Sequence, residues 1–284
     1  MTPVNDQELQ LWGTFIKSTC GNIIDEKAYL IESRLSPIAN ELQCSSWIDL
    51  YTKVRNDISG GLRRKVINAI TTNETSFFRD SAPFEMLKFK ILPDLIDSRK
   101  KTSQGTDIPV RIWSAASSNG QELYSIAISI LELLGSMNGY DIRLLGTDIS
   151  DSVVAKASHG YYSKLEVERG LSSQMLNKYF TSAENEWKIR DEIRSLATFK
   201  TLNLLEPFSF PQKFDIVFCR NVSIYFNNED RKKMFTNIGR VLAPDGYLII
   251  GSTESISVIC PEFQSFRYLR AVYYQLMDKK KDLS

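Results

Sequence analysis

The strongest constraint on the fold is a change of periodicity near residue 110. From there, four short apolar runs are rich in β-branched and aromatic residues: VRIWSA (110–115), DIRLLGT (141–147), FDIVFC (214–219) and GYLIIGS (246–252). Helix-period segments follow the first three: GQELYSIAISILELLG (120–135), SDSVVAKASHG (150–160) and NEDRKKMFTNIGRVL (228–242). This alternation builds an open, mostly parallel α/β sheet. Such sheets hold ligands beyond the carboxyl ends of their strands, where strand order reverses.

The first 70 residues read differently. QELQLWGTFIKSTCG (7–21) places Leu9, Trp12, Phe15 and Ile16 at helical spacing and stops near Gly21. KAYLIESRLSPIANELQ (27–43) is interrupted by Pro37, and SSWIDLYTKVRND (45–57) opens on a serine cap. A further helical stretch begins at GLRRKVINAI (61–70), and no alternating strand is present. Helices alone, followed by alternating strands and helices, imply two domains. The boundaries predicted are a helical domain over 1–72, a linker or helix over 73–92, and an α/β domain over 93–284.

Two stretches break the alternation. Residues 161–201, with LSSQMLNKYF and the polar TSAENEWKIRDEIRSLATF, suggest a small appended β-hairpin region. FRYLRAVYYQLM (266–277) reads as one final strand before a solvated tail, DKKKDLS.

Composition removes several function classes. The chain of 284 residues is 43% hydrophobic and 24% charged, as for a soluble globular protein, with no apolar run long enough to span a membrane. MTPVNDQELQ has none of the character of a signal peptide, so a cytoplasmic protein is expected. A net charge of +1 argues against nucleic acid as a partner. Cys20, Cys44, Cys219 and Cys260 lie far apart, so neither zinc nor a disulfide framework is expected. His159 is the only histidine, which removes most metallohydrolases and the Ser-His and Cys-His nucleophile systems. Its place before Gly160 suggests a role at a helix C-terminus.

The loops carry the chemistry. Ala115, Ala116, Ser117, Ser118 and Asn119 follow the first run and lead into Gly120, so backbone N–H groups and a helix N-terminus can approach a ligand closely. After the second run, Asp148 stands where a carboxylate accepts hydrogen bonds from ribose hydroxyls. The glycines of a G-x-G-x-x-G fingerprint are missing, which favours S-adenosylmethionine over a dinucleotide. The same residues also read as a helix-capping loop with a cap aspartate. In TTNETSFFRD (71–80), polar Asn73, Thr75 and Arg79 alternate with Phe77 and Phe78. That pattern fits an interdomain helix with an aromatic anchor equally well.

Taken in order, TTNETSFFRD, RIWSAASSNGQELYSIAI, LLGTDIS, LNLLEPF, FDIVFCRNVSIYF and LAPDGYLIIGSTES resemble the CheR family of chemoreceptor glutamate methyltransferases over nearly the whole chain. The resemblance implies an all-helical N-terminal domain, then a Rossmann-like class I S-adenosylmethionine-dependent methyltransferase domain with a small antiparallel β-subdomain at about 178–201. It implies cofactor contacts from Asn73, Thr75, Arg79, Glu122, Asp148, Asn203, Leu204, Arg220 and Asn221. Glu122 and Asp148 would serve the amino-acid and ribose portions, Asn203 and Leu204 the adenine. The implied product is a γ-glutamyl methyl ester on receptor helices, with S-adenosylhomocysteine released and no metal.

A glutamate, ordinarily of pKa about 4.3, is already a nucleophile at neutral pH, so no general base is needed. The site must align carboxylate, methyl and sulfur and exclude water. Arg79 and Tyr225 are the candidates for orienting the carboxylate. Lys53, Arg55, Arg63, Arg64 and Lys65 cluster in the helical part, and the resemblance implies that this part docks on acidic methylation helices; a solvated helix face is the other reading. The chain departs from the family at Gln121 and Leu123, where a carboxylate and a proline are usual. Its short, glycine-free loop between Phe180 and Trp187 implies weak or no binding of a receptor's C-terminal pentapeptide; micromolar affinity in titration calorimetry would refute this. A monomer is expected. A related methyltransferase with another substrate, or a scaffold that senses the cofactor without turnover, are the alternatives.

Overall fold

The computed structural model describes residues 3–24, 27–101 and 107–277; the run DKKKDLS lies outside them. Four helices make the first module: α1 (Asp6–Cys20), α2 (Ala28–Glu41), α3 (Trp47–Asn56) and α4 (Gly61–Ile70). Asn5 and Glu8 close a reciprocal capping box at the start of α1, and Gly21 ends it in the left-handed region at φ +78°. Ser46 accepts from the Asp49 N–H and caps α3, as the sequence suggests. Trp12, Ile31, Leu35, Trp47, Leu50 and Val66 form the core between these helices.

Pro37 does not interrupt α2. It sits on the exposed side, where the carbonyl of Ser33 that it leaves without an N–H partner can reach water, while Ile31, Leu35, Ile38 and Ala39 hold the helix by packing.

Residues 73–80 are not helical either. The chain has no regular secondary structure here and turns through left-handed Phe78 (φ +49°) and Asp80 (φ +55°). Phe77 leaves the chain in one direction and packs edge-on against Tyr162 and Phe180; Phe78 meets Phe84. Only then does a helical rod begin: α5 (Ser81–Met86), a π-helical turn at Leu87–Ile91 and α6 (Leu92–Lys100).

The α/β module is built from β1 (Ile108–Ala115), α7 (Gln121–Leu134), β2 (Tyr140–Asp148) and α8 (Asp151–His159). It continues through β3 (Tyr161–Ser163), α9 (Lys164–Glu168), α10 (Ser173–Tyr179), β4 (Phe180–Ala183), β5 (Glu186–Ile189), α11 (Asp191–Arg194) and β6 (Ala197–Thr201). β7 (Phe214–Cys219), α12 (Asn228–Val241), β8 (Leu242–Ile250), β9 (Phe263–Tyr268) and β10 (Ala271–Leu276) complete it. The large sheet has the order β6-β2-β1-β7-β8-β10-β9, parallel from β6 to β8. Strand order reverses between β1 and β7, so the carboxyl ends of these two strands open the crevice.

Two expectations change here. The segment 266–277 is not one strand: it holds the end of β9, a turn at left-handed Leu269 and β10, which is antiparallel to both β9 and β8. The small sheet is β3-β5-β4; it recruits Tyr161–Ser163 and gives up residues 197–201, which pair with β2 at the edge of the large sheet. Phe199 lies over Gly146, where a Cβ would come within 2.5 Å of its ring, and that packing fixes β6 to the large sheet. His159 is exposed in the last turn of α8, and the backbone N–H of Gly160 makes the cap bond. Among the described residues, no helix is long and apolar enough to cross a membrane.

Gly170 (φ +113°) passes directly under the 73–80 segment: a Cβ there would lie 1.9 Å from the Phe77 carbonyl oxygen. Gly170→Ala is therefore expected to cost at least about 2 kcal/mol, seen as a fall of about 4–8 °C in the calorimetric midpoint. An unchanged midpoint would show that this close approach is not needed.

Candidate active site

A cleft opens at the carboxyl ends of β1, β2, β6 and β7, where a sheet of this order holds its ligand. Asn73, Thr75, Arg79, Glu122, Asp148, Asn203, Leu204, Arg220, Asn221 and Tyr225 all line it, although they are spread over more than 150 positions of sequence. The structure thus brings together each cofactor or orienting residue named from sequence.

The loop after β1 explains its own composition. Ala116 (φ +59°), Ser118 (φ +49°) and Gly120 (φ +89°) are all left-handed, which bulky or branched side chains resist. Gly120 also packs α7 against α8 and β6: a Cβ would stand 2.9 Å from that of Ala157 and 3.1 Å from the Phe199 ring. The Ser118 N–H donates to Asp148 (2.9 Å), and its hydroxyl donates to the Asn73 carbonyl (3.1 Å). Asp148 also accepts from the Ser150 N–H, leaving further lone pairs on both oxygens. Burial raises its carboxyl above the ordinary value of 3.8, against the pull of these N–H donors.

Beneath the cleft lies Arg220, its side chain only 1% exposed. One nitrogen donates to Glu122 (2.9 Å); the other donates to the Arg79 carbonyl (2.9 Å) and to Asp80 (3.0 Å). Glu122 accepts in turn from the Ser114 hydroxyl (2.8 Å). The guanidinium stands 5.7 Å from the Phe84 ring centre, and its Nε is buried with no partner among the described residues. The cation therefore fixes three chain segments at once.

Arg79 is arranged otherwise. It is half-buried, its one hydrogen bond goes to the Glu74 carbonyl (2.9 Å), and no ion pair reaches it among the described residues. The Glu74 carboxylate is engaged by Arg169 (2.9 Å), which, with a smaller contribution from the charge of Arg79, holds it below the ordinary range. Tyr225 stands on a 3-10 turn (Ser223–Tyr225), and its carbonyl accepts from the Ile23 N–H of the helical module (3.2 Å).

That last bond belongs to a seam that sequence reasoning missed. Cys20 and Asn22, at the end of α1, line the same cleft. Asn203 donates to the Thr19 carbonyl (3.0 Å), and a Cβ on Gly21 would fall 2.5 Å from Leu205 and 2.7 Å from Phe226. Nothing in STCGN marks it as part of a site, because its role depends on which loop it meets. Burial pushes the Cys20 thiol up to about 11, so it is a wall and not a nucleophile.

The basic run is not brought together. Arg63 lies over the Phe15 ring (6.0 Å), Arg64 faces Asp151 on α8 (3.8 Å), and Lys65 pairs with Glu41 on α2 (2.6 Å). Lys53 closes the 42–44 turn and pairs with Asp49, which leaves Arg55 exposed on α3. Consecutive helical residues point about 100° apart, so the run fans out over three neighbours.

Comparison with known proteins agrees with this architecture. Residues 7–71 match the family model described as CheR methyltransferase, all-alpha domain, and residues 73–270 match CheR methyltransferase, SAM binding domain. The chain is 38% identical over 277 residues to chemotaxis protein methyltransferase 1 of Vibrio cholerae serotype O1, covering 96% of this chain and 98% of that protein. It is 37% identical over 274 residues to chemotaxis protein methyltransferase 1 of Pseudomonas aeruginosa, covering 94% and 97%. A chemotaxis protein methyltransferase of Borreliella burgdorferi is 34% identical over 241 residues, 83% of each chain.

Removing the buried cation leaves Glu122 without its partner in a site of low exposure. Arg220→Ala is expected to lower unfolding free energy by about 3–5 kcal/mol in urea titrations, and Arg220→Lys to recover only part, since one ammonium cannot reach all three acceptors. A loss under about 1 kcal/mol would remove Arg220 from its central place.

Proposed function

This chain belongs to the CheR methyltransferase family, and from that premise we propose that this chemotaxis protein methyltransferase esterifies glutamate side chains of chemoreceptors, giving γ-glutamyl methyl esters. The observation that carries the reading is Arg79: a cation lining the cleft whose guanidinium hydrogen-bonds to a carbonyl and forms no ion pair among the described residues, while the Glu74 carboxylate, within reach of its field, is hydrogen-bonded by Arg169. A cation so placed suits an incoming carboxylate, keeping it ionised where water is excluded.

The residues present fit S-adenosylmethionine. Asp148 retains acceptor capacity, and the buried, unpartnered Nε of Arg220 leaves donor capacity at the site. Asp148 would take the ribose hydroxyls, Glu122 with Asn73 and Thr75 the amino-acid end, and Asn203 and Leu204 the adenine. The cofactor supplies an electrophilic methyl on a sulfonium. Arg79 aims the glutamate oxygen, Tyr225 adds a hydroxyl beside it, and the close walls hold the reacting atoms in line. No residue needs to remove a proton, because the nucleophile arrives ionised.

The docking face on the helical module rests, in this reading, on Arg55 and on whichever of Arg63, Arg64 and Lys65 give up their internal partners. Recognition of a C-terminal pentapeptide is not part of the proposal: β4 and β5 are joined by only Glu184 and Asn185, with Glu184 at φ +49°.

Two measurements test the reading. With methyl-labelled cofactor and receptor-bearing membranes, label should be incorporated and then released as methanol by mild base; stable label would instead indicate nitrogen or another acceptor, and binding without label a scaffold. The second is pH dependence. Ribose donors favour the ionised form of Asp148, so binding lowers a pKa that burial has raised. Affinity for S-adenosylhomocysteine should be constant at neutral pH and fall, with proton release, as pH drops through the free protein's raised value, which lies above 3.8. Asp148→Asn should bind more weakly and without this acid limb. A flat profile in the unaltered protein would remove Asp148 from the ribose site.

A further inference from the structure

Glu254, in the loop after β8, does not line the cleft and has no part in the reading above. Its carboxylate nevertheless gathers four donors. Oε2 accepts from the N–H groups of Gly251 (2.7 Å) and Asn221 (2.7 Å). Oε1 accepts from the N–H (3.0 Å) and the hydroxyl (2.5 Å) of Ser223. Gly251 is what makes room, since a Cβ there would lie 2.4 Å from Oε2.

The donors are not scattered. Asn221 comes just after Arg220 at the end of β7, is held left-handed at φ +57°, and lines the cleft; Ser223 begins the 3-10 turn that carries Tyr225 into it. A carboxylate is an acceptor only, so it alone among polar side chains of this length satisfies donors on both oxygens. Neighbouring Ser252, Thr253 and Ile224 are exposed, so water was available to satisfy these groups. A fixed anion in place of water defines the path of the chain from the buried Arg220 to Tyr225.

We propose that Glu254 is a positioning residue for methyl transfer: acting from behind the cleft, it sets Asn221 and Tyr225 against the reacting atoms. This rests on the methyltransferase reading. The amide of glutamine turns one acceptor into a donor that faces other donors, so Glu254→Gln disturbs this loop while leaving Asp148, Asn203 and Leu204 untouched.

The test uses the full chain, unaltered and as Glu254→Gln. The variant is expected to bind S-adenosylhomocysteine at full stoichiometry, weakened no more than about 10-fold through the displaced Asn221, and to lose at least about 30-fold in kcat with receptor membranes. Hydrogen exchange should show lost amide protection in peptides spanning Asn221, Ser223 and Gly251. A merely structural role would instead lower binding stoichiometry and kcat together. A folded variant with kcat unchanged, or with the loop amides still protected, overturns the proposal. Should Glu254→Gln not fold, Ser223→Ala removes only the hydroxyl bond and is expected to lower kcat about 3- to 10-fold at unchanged S-adenosylhomocysteine affinity; unchanged kcat there overturns it equally. If the unaltered protein transfers no methyl, the functional reading fails, and the exchange measurement still decides whether Glu254 holds the loop.

Discussion

The buried guanidinium of Arg220 is the contact on which the site depends. It emerges from the end of β7, where the strand order of the large sheet reverses, and it reaches acceptors on α7 and on the segment between the modules. A charge this deep needs close partners, and here two carboxylates and a carbonyl meet both terminal nitrogens, while Nε has no partner among the described residues. The chain before α5 must therefore stay out of helical geometry, so that the Arg79 carbonyl and Asp80 point down and the Arg79 side chain points into the cleft. The left-handed residues Phe78 and Asp80 are the local cost of that arrangement, and the aromatic packing of Phe77 and Phe78 offsets it.

The second constraint is the seam between modules. The end of α1 is a wall of the cleft, joined to the β6 and β7 loops by bonds from Asn203 to Thr19 and from Ile23 to Tyr225, and farther out by Asn68 and Arg64 on Asp151. Left-handed Gly21 sits between Leu205 and Phe226 without room for a side chain. The helical module is thus part of the chamber, and a partner bound to it stands directly beside the cleft.

Much of this was legible in the sequence wherever local chemistry decides the outcome. The four apolar runs are strands β1, β2, β7 and β8, because β-branched and aromatic residues in short blocks pack well only on a pleated surface. Small residues before Gly120 mark a loop with three left-handed positions. Local reading failed where distant packing wins: at Pro37, carried through α2 by the buried face, and at 197–201, which pairs with β2 where Phe199 packs over Gly146; at 73–80, left open between linker and helix, the chain is non-helical and its Arg79 carbonyl accepts from Arg220. The basic run Arg63-Arg64-Lys65 looks like a patch in one dimension and spreads over three neighbours in three.

The sequence by itself determined the class of fold, the order of its strands along the chain and the identity of the polar residues at strand ends, since periodicity and residue type act over a few positions. Only the tertiary structure decided that Cys20 and Asn22 share a cleft with Asp148, that Arg79 donates to a carbonyl while Arg220 binds two carboxylates, and that Glu254 gathers the loop beneath Tyr225. Those outcomes depend on which groups remain to satisfy one another after folding, and that is set by where the chain returns, not by its neighbours in sequence.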